Sequence, residues 1–458
     1  MNSIKWVFLM ERVLKFIEFL NAKFIWGVPM IVFMIGTALF LSVVTDGVIF
    51  RRFFTVLKLS FNSLFRSKKE VGDGQISPFA AVCTALAATV GTGNIVGVAL
   101  SIFIGGPGAV FWLWVSALLG MVTKYCEVTL AVTYKQKNAL GETVGGPMYY
   151  IEKGLGLRSL AVCFAVFGVL ASFGIGASVQ ANALTNSANN TFGIPFVTTG
   201  IIITVLSGMV LLGGIKSIAR FSEILVPFMS AFYILGVFFI LVLNLKALPS
   251  AFLLIFKSAF CGSAAVGGFM GATVIKCCRV GISRGVFTHE AGMGSAPIAH
   301  ATAKVDHPAR QGILGAFEVF FDSIIMCTLS ALVIIVSGVW KAYPRVDSAN
   351  AMSQAFEQGF SGGRYLVAVA LVLFAFATIT SWYYYGEKCV QYLFPHLKKI
   401  IPIYKLLYIG AVFLGSILNL NTVWAFCDLF NGLMSLPNLI ALNLLSPVIR
   451  KKTREFFG

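Results

Sequence analysis

The chain has 458 residues, of which 58% are apolar and 12% charged, about half the charged fraction of an ordinary soluble domain. The apolar residues fall in runs of roughly twenty, the length a bilayer-spanning helix needs, which excludes a soluble cytosolic enzyme. A net charge of +17 would suggest nucleic acid in a soluble protein. Here the basic residues sit in short segments between apolar runs, the pattern of membrane topology, so no nucleic-acid partner is expected.

Residues 1–24 carry Lys5, Arg12, Lys15 and Lys23 among apolar residues at helical spacing, without the short apolar core and cleavage site of a signal peptide, and predict an interfacial helix. Apolar runs follow at about 25–44, 76–104, 109–134, 158–186, 195–213, 223–245, 251–278, 311–339, 364–392, 402–420 and 423–446. They predict an all-α integral membrane protein with eleven transmembrane helices. If the basic loop at 45–75 is inside, 26 of the 35 Lys and Arg residues lie inside. The positive-inside rule then puts the basic tail, 447–458, in the cytoplasm and the N-terminus outside, where its four basic residues are the one local conflict.

The second run is interrupted at Ala87-Ala88-Thr89-Val90-Gly91-Thr92-Gly93-Asn94, and the seventh at Val266-Gly267-Gly268-Phe269. Each opens a block of five spans, 76–245 and 246–446, after an N-terminal unit at 1–75 that holds the extra helix. An odd number of spans inverts the second block relative to the first, giving a 5+5 inverted repeat. In that plan, paired glycine-interrupted helices mark the binding site. Glycines at a break free amides and carbonyls that a lipid-facing helix cannot expose. The half-helix that begins at Gly91–Asn94 aims free N–H groups at a carboxylate, and the half that ends near Ala87–Val90 offers carbonyls to a cation. A zwitterion with Na+ satisfies both; close helix packing by small residues is the alternative.

Further polar signals lie along the later runs. Gln180 needs both a donor and an acceptor partner, met by substrate or by another helix. Ala377-Thr378-Ile379-Thr380-Ser381-Trp382 groups three hydroxyls that either ligate a hard cation or bond back to their own helix. Glu127 stands at a helix end, Glu318 and Asp322 lie four apart in the eighth run, and Asp428 is in the last. No acid or lysine sits at either break, which favours a neutral zwitterion over a cationic amine and leaves the coupling cation to come from solution. Gly281–Pro297, with charge, glycines and Pro297, reads as a cytoplasmic loop or gate, and His289, His300 and His307 as solvated loop residues without metal-ligand spacing. Nine cysteines without a CxxC pattern suggest neither disulfides nor zinc. No nucleotide-binding motif is present, so no ATP-driven step and no organic cofactor are expected.

Several long motifs occur together and in order. They are Ala87-Ala88-Thr89-Val90-Gly91-Thr92-Gly93-Asn94-Ile95, Gly145-Gly146-Pro147-Met148-Tyr149-Tyr150, Arg284-Gly285-Val286-Phe287 with Glu290-Ala291-Gly292-Met293-Gly294-Ser295-Ala296-Pro297, and Trp382-Tyr383-Tyr384-Tyr385-Gly386-Glu387. Through them the chain resembles the alanine or glycine:cation symporter family, sodium:alanine symporters of bacteria and archaea related in fold to the LeuT-type transporters. The resemblance implies eleven helices, a LeuT-like inverted repeat, a location in the bacterial inner membrane, and Na+-coupled import of alanine or glycine, in some members D-alanine. It implies that Thr92 and Gly93, within Gly91–Asn94, hold the substrate carboxylate. Gln180, Phe269 and Trp382 would bound a small pocket with Gly267 and Gly268 beside the amine. Fold analogy adds a Na+ site from the carbonyls of Ala87, Val90 and Ala377 and the hydroxyls of Thr380 and Ser381, with Asn94 on the break asparagine. Two departures from the family pattern stand out. Thr288-His289-Glu290 replaces Ser-Asn-Glu, where a histidine would bring either pH dependence or nothing, and Ser381 adds a hydroxyl where many relatives carry glycine.

Three rivals remain at this stage. A proton-coupled carrier of the same fold would use Glu318, Asp322 or His289. An intramembrane enzyme would need a His and Asp cluster inside the spans, and a passive channel a ring of charge or a repeated filter. Oligomeric state and ion stoichiometry are not legible.

Overall fold

The computed structural model of the protein describes residues 12–65, 72–138, 141–260, 274–342, 348–397, 399–418 and 421–458, without the side chains of 63–65 and 421–424. Among the described residues the regular structure is helical apart from a hairpin of β1 (Gln136–Lys137) and β2 (Thr143–Val144) and an isolated parallel bridge between Ile76 and Ala303.

Helix α1 (Arg12–Val44) is a long apolar helix that passes through a π-helical turn at Asn21–Ile25 and restarts after Gly27 with Pro29 in its first turn. The expected interfacial helix, as far as it is described, is therefore the start of this span rather than a separate element. Helix α2 (Phe53–Phe65) follows, then α3 (Pro78–Thr89) and α4 (Gly93–Gly105), which meet at an angle of 52°. Ser77 starts α3 by accepting from the Ala80 amide at 3.0 Å, and Pro78 suits its first position. Then come α5 (Ala109–Thr133), α6 (Pro147–Leu155), α7 (Arg158–Phe192), α8 (Phe196–Leu212) and α9 (Gly214–Leu243). The second part has α10 (Leu248–Phe260), α11 (Val274–His289), a short α12 (Pro297–His300), α13 (Pro308–Val336), α14 (Ser348–Gly359), α15 (Gly363–Leu393), α16 (Ile400–Ile417), α17 (Asn421–Leu444) and α18 (Ser446–Phe457).

Eight of the described helices are long and apolar enough to cross a bilayer, and the bent pair α3–α4 makes a ninth. The expected eleven is not reached among the described residues. Helix α8 is apolar but has 17 residues, and the seventh run includes 261–273, outside the described residues. Gly267, Gly268 and Phe269 fall there. The outer surfaces of α8, α9 and α16 expose Leu206, Met209, Leu235, Phe238, Leu406 and Leu407, the apolar coat a bilayer requires.

One end of the protein is tightly closed. The chain entering α3 pairs with the chain leaving α12: the Gln75 amide donates to the Thr302 carbonyl at 2.8 Å, and the Lys304 amide to the Ile76 carbonyl at 3.0 Å. Lys135 donates to the Asp73 and Ala303 carbonyls beside them. The loop after α1 and the C-terminal helix share this end, where Arg454 lies 3.5 Å from Asp46. Lys276, Arg279 and Arg284 ride on α11 against the first half of α5. The Gly281 and Gly285 backbones press on Ala109, Trp112 and Ser116.

Candidate functional site

The first break behaves as its sequence predicts. Helix α3 ends at Thr89, and the Gly91 amide, which would continue the helix, donates instead to Asn94 Oδ1 at 2.9 Å. Among the described residues no acceptor faces the Thr92 and Gly93 amides, so two donors are left at the positive end of α4. Thr92 Oγ1 donates to Gln180 Oε1 at 3.2 Å, and Gln180 Nε2 donates to the Ile175 carbonyl at 3.2 Å. Gln180 is thus brought to the break with its amide orientation fixed. Thr92 and Gly93 form the floor of a chamber of about 410 Å³. Its walls carry Asn182, Asn186 and Asn190 from one face of α7, with Arg284 and Asp428 opposite.

The five residues expected around Na+ are all buried. A Cβ at Gly91 would lie 2.9 Å from Thr378 Oγ1, so α3 and α15 are in direct contact at this level. Thr378 Oγ1 and Thr380 Oγ1 bond back to the carbonyls of Phe374 and Ala377, at 3.0 and 2.8 Å, whereas Ser381 Oγ has no partner although it is buried. An orphan buried hydroxyl on the helix that touches the first break is the kind of donor oxygen a cation would use.

Among the described residues, the element that meets the first break is the end of α11. A Cβ at Gly93 would lie 3.2 Å from Thr288 Cγ2 and 3.6 Å from Phe287 Cδ1, so the end of α11 abuts it. Helix α11 stops at His289, and the chain then turns through Glu290, Gly292 and Gly294, all at positive φ, before α12. Residues 288–301 are buried throughout, so of the two readings of Gly281–Pro297, loop or gate, a solvated loop does not hold for this part, which forms a second break inside the protein. His289 and His300 are correspondingly not solvated. His289 Nδ1 accepts from the Ala291 amide at 3.0 Å, which places its proton on Nε2, 3.1 Å from Ser116 Oγ. His300 lies between Glu318 and Gln311. His307, half-buried, caps α13 by accepting from the Ala309 amide. Trp382 reaches this second break, its Nε1 donating to Glu290 Oε1 at 3.2 Å.

Comparison with known proteins bears directly on this architecture. The model of the Sodium:alanine symporter family matches residues 10–458. An uncharacterized transporter of Haemophilus influenzae is 47% identical over 95% of the chain and 94% of its own length. The sodium/alanine symporter AgcS of Methanococcus maripaludis is 42% identical over 96% and 97%. The chain belongs to the sodium:alanine symporter family. Among solved structures, a Na+-coupled sialic acid symporter in a substrate-bound outward-open state aligns with a TM-score of 0.55 at 12% identity, covering 92% of this chain and 98% of that one; this likeness concerns the fold, which is of the LeuT type. As a member of the family the protein is a multi-pass membrane transporter, not an enzyme, and works by sodium-coupled amino-acid symport.

Within this symporter, three functional features escape a reading of the sequence. The first is an acid at the break: Asp322 Oδ1 accepts from Asn94 Nδ2 at 2.7 Å, and Asp322 Oδ2 accepts from Ser323 Oγ at 2.8 Å. The expectation that no carboxylate stands there is corrected, because α13 delivers one from 228 residues away. The second is Lys124, fully buried in α5 with its Nζ 3.5 Å from Glu318 Oε1 and no hydrogen-bond partner. Glu318 Oε2 lies 2.9 Å from His300 Nε2. Glu318 and Asp322 therefore serve different partners, separated by the switch from α- to π-helix at Phe320. Glu127, read at a helix end, is buried inside α5, and its Oε1 accepts from the Gly292 and Gly294 amides at 2.9 and 3.1 Å and from Asn438 Nδ2. A lysine three residues before a glutamate in an apolar run was the available signal. The third is a set of π-helical turns, Gly93–Gly97, Ser172–Ser178 and Phe320–Cys327. The first two adjoin Thr92 and Gln180 and the third contains Asp322, and such bulges often mark functional sites.

Proposed function

We propose that this symporter imports a small neutral amino acid, alanine or glycine with D-alanine as a further candidate, together with Na+ by alternating access. The observation that carries this reading is the pair of free amides at Thr92 and Gly93 at the floor of the chamber, with Gln180 bonded to Thr92 behind them. In this reading the substrate carboxylate takes those amides within Gly91–Asn94, and Gln180 and Trp382 limit the side chain. Phe269, Gly267 and Gly268 complete the assignment by family resemblance. Na+ is held by the carbonyls of Ala87, Val90 and Ala377 with the hydroxyls of Thr380 and Ser381, and the unpartnered Ser381 hydroxyl supports this. Substrate and ion share the gap between the two breaks, so each favours the state that suits the other, and the coupling is reciprocal. A membrane potential of 100 mV adds about 2.3 kcal/mol per charge moved.

The chamber reaches the first break from the end remote from the C-terminal helix, while the opposite end is shut by the pairing of residues 75–76 with 302–304. We assign this arrangement to the outward-facing state, with the C-terminus cytoplasmic, the N-terminus outside, and two inverted five-helix halves at 76–245 and 246–446. The test is uptake of labelled L-alanine into proteoliposomes under an inward Na+ gradient, with K+ and proton gradients as controls and glycine and D-alanine as competitors. Accumulation that depends on Na+ and is competed by both is expected. Uptake driven by a proton gradient without Na+ would overturn the ion assignment, and silence under both would overturn the substrate.

A further inference from the structure

We propose that Glu290 is a specificity-determining positioning residue: it fixes the plane of Trp382 and so sets how large a side chain the substrate pocket admits. This rests on the reading that Trp382 bounds that pocket. Four observations converge on it.

Both oxygens of the buried Glu290 carboxyl are engaged, Oε1 by the Trp382 indole N–H at 3.2 Å and Oε2 by Ser295 Oγ–H at 2.5 Å. A carboxyl held at both ends has no rotational freedom, and its grip on the indole is directional. Glu290 also has φ +52, a conformation that is unfavourable for a non-glycine residue and persists only where the surroundings over-determine it. The turn therefore holds a side chain in place where glycine, used at Gly292 and Gly294, would relieve the strain.

On its opposite side Trp382 has no slack. A Cβ at Gly176 would lie 2.4 Å from Trp382 Cβ, so the ring root is pressed against bare backbone of the π-helical turn that precedes Gln180. The edge of Tyr385 completes the clamp, with ring centroids 5.6 Å apart. The backbone fixes where the indole starts, and Glu290 fixes where it points. Because Glu290 stands on the second break, any movement of that turn also moves the pocket wall.

The test compares transport of glycine, alanine, valine and leucine by wild type, Glu290→Gln, Glu290→Ala, Trp382→Phe, Trp382→Ala and the double variant Glu290→Ala/Trp382→Phe. Freed of its acceptor, the ring should swing. The ratio of kcat/KM for valine to that for alanine should then rise about tenfold in Glu290→Ala, the scale of discrimination that pocket walls supply for one or two methylenes. Glu290→Gln keeps an acceptor oxygen and should stay within about threefold of wild type on the same scale. In Trp382→Phe, which lacks the N–H, adding Glu290→Ala should change nothing more. A loss in Glu290→Ala that is equal for every substrate, as general damage to the fold would give, overturns the proposal.

Thermal unfolding of the same cycle separates this proposal from the pocket reading. Thermal coupling between positions 290 and 382 with an unchanged ratio in Trp382→Ala would mean that Trp382 does not line the pocket. No coupling, with a ratio that does change in Trp382→Ala, would mean that Glu290 does not hold it. If Glu290→Ala fails to accumulate in membranes, Ser295→Ala, which frees only one end of the carboxyl, carries the same ratio test in weaker form.

Discussion

The two breaks that meet at the centre of the protein are made of different materials. The first is apolar up to its glycines, and the carboxylate that accepts from its Asn94, Asp322, arrives from another helix. The second, at Thr288–Ala296, carries its own histidine and glutamate and depends on α5 for charge compensation: Glu127 takes two of its amides. Lys124, which holds Glu318, lies one turn before Glu127 on the same helix. A break that leaves its amides free has them available for a ligand. A break whose amides are already taken by protein carboxylates is a structural joint. The difference suggests that the first break binds and the second holds and transmits.

The comparison breaks most visibly if the compensation is removed. Lys124→Met leaves Glu318 buried beside His300 without its ammonium, and losing one partner of such a pair costs about 3–5 kcal/mol. We expect a large fall in the thermal unfolding midpoint of the detergent-solubilised protein. The volume-conserving double variant Lys124→Met/Glu318→Leu should regain more than half of it, since it removes both charges together. A double variant no better than the single would show that Lys124 serves other acids more than Glu318.

Next in size is Glu127. Glu127→Ala strands the Gly292 and Gly294 amides and Asn438, and hydrogen bonds to a charged acceptor are worth about 1.5–3 kcal/mol. Glu127→Gln keeps an acceptor oxygen and should cost less than half as much. Unfolding midpoints of the two variants measure the difference directly. Asn94→Ala should come third, at about 1–3 kcal/mol, since it orphans the Gly91 amide and removes the donor that Asp322 accepts from. Unlike Glu127→Ala, it should abolish Na+-driven uptake in protein that still folds, because it deforms the break that binds rather than the one that holds.

These contrasts also show what the sequence could convey. The first break was legible because glycines in an otherwise apolar run have few other uses in a membrane, and Gln180 because a lone amide in a span needs a partner. The second break was misread because Glu290 and His289 resemble a solvated loop in composition, and only the fold supplies the partners that let them be buried. Lys124 was passed over for a related reason. A single cation among apolar residues reads as the end of a span until its carboxylate, 194 positions away in the chain, is placed beside it. The helix type at Phe320 has no sequence mark at all, so two acids four apart read as neighbours on one face, while the structure directs them to separate partners.

The smallest effect is the most discriminating. Ser381 Oγ is buried without a partner, so Ser381→Ala removes no hydrogen bond between protein groups and should change the unfolding midpoint by no more than about 0.5 kcal/mol equivalent, the range of a substitution that touches no structural feature. Thr380→Ala, by contrast, gives up the bond from Oγ1 to the Ala377 carbonyl and mixes a structural cost into whatever it does to the ion. If Ser381 ligates Na+, the Na+ concentration for half-maximal uptake should rise several-fold in Ser381→Ala while the stability without Na+ stays level. By linkage, the stabilisation that a saturating Na+ concentration confers should fall by RT times the logarithm of that factor, about 1 kcal/mol for a fivefold rise. A variant with unchanged Na+ dependence would leave the hydroxyl an unexplained orphan and move the ion toward Asp322 and Asn94, where a carboxylate already faces the same break.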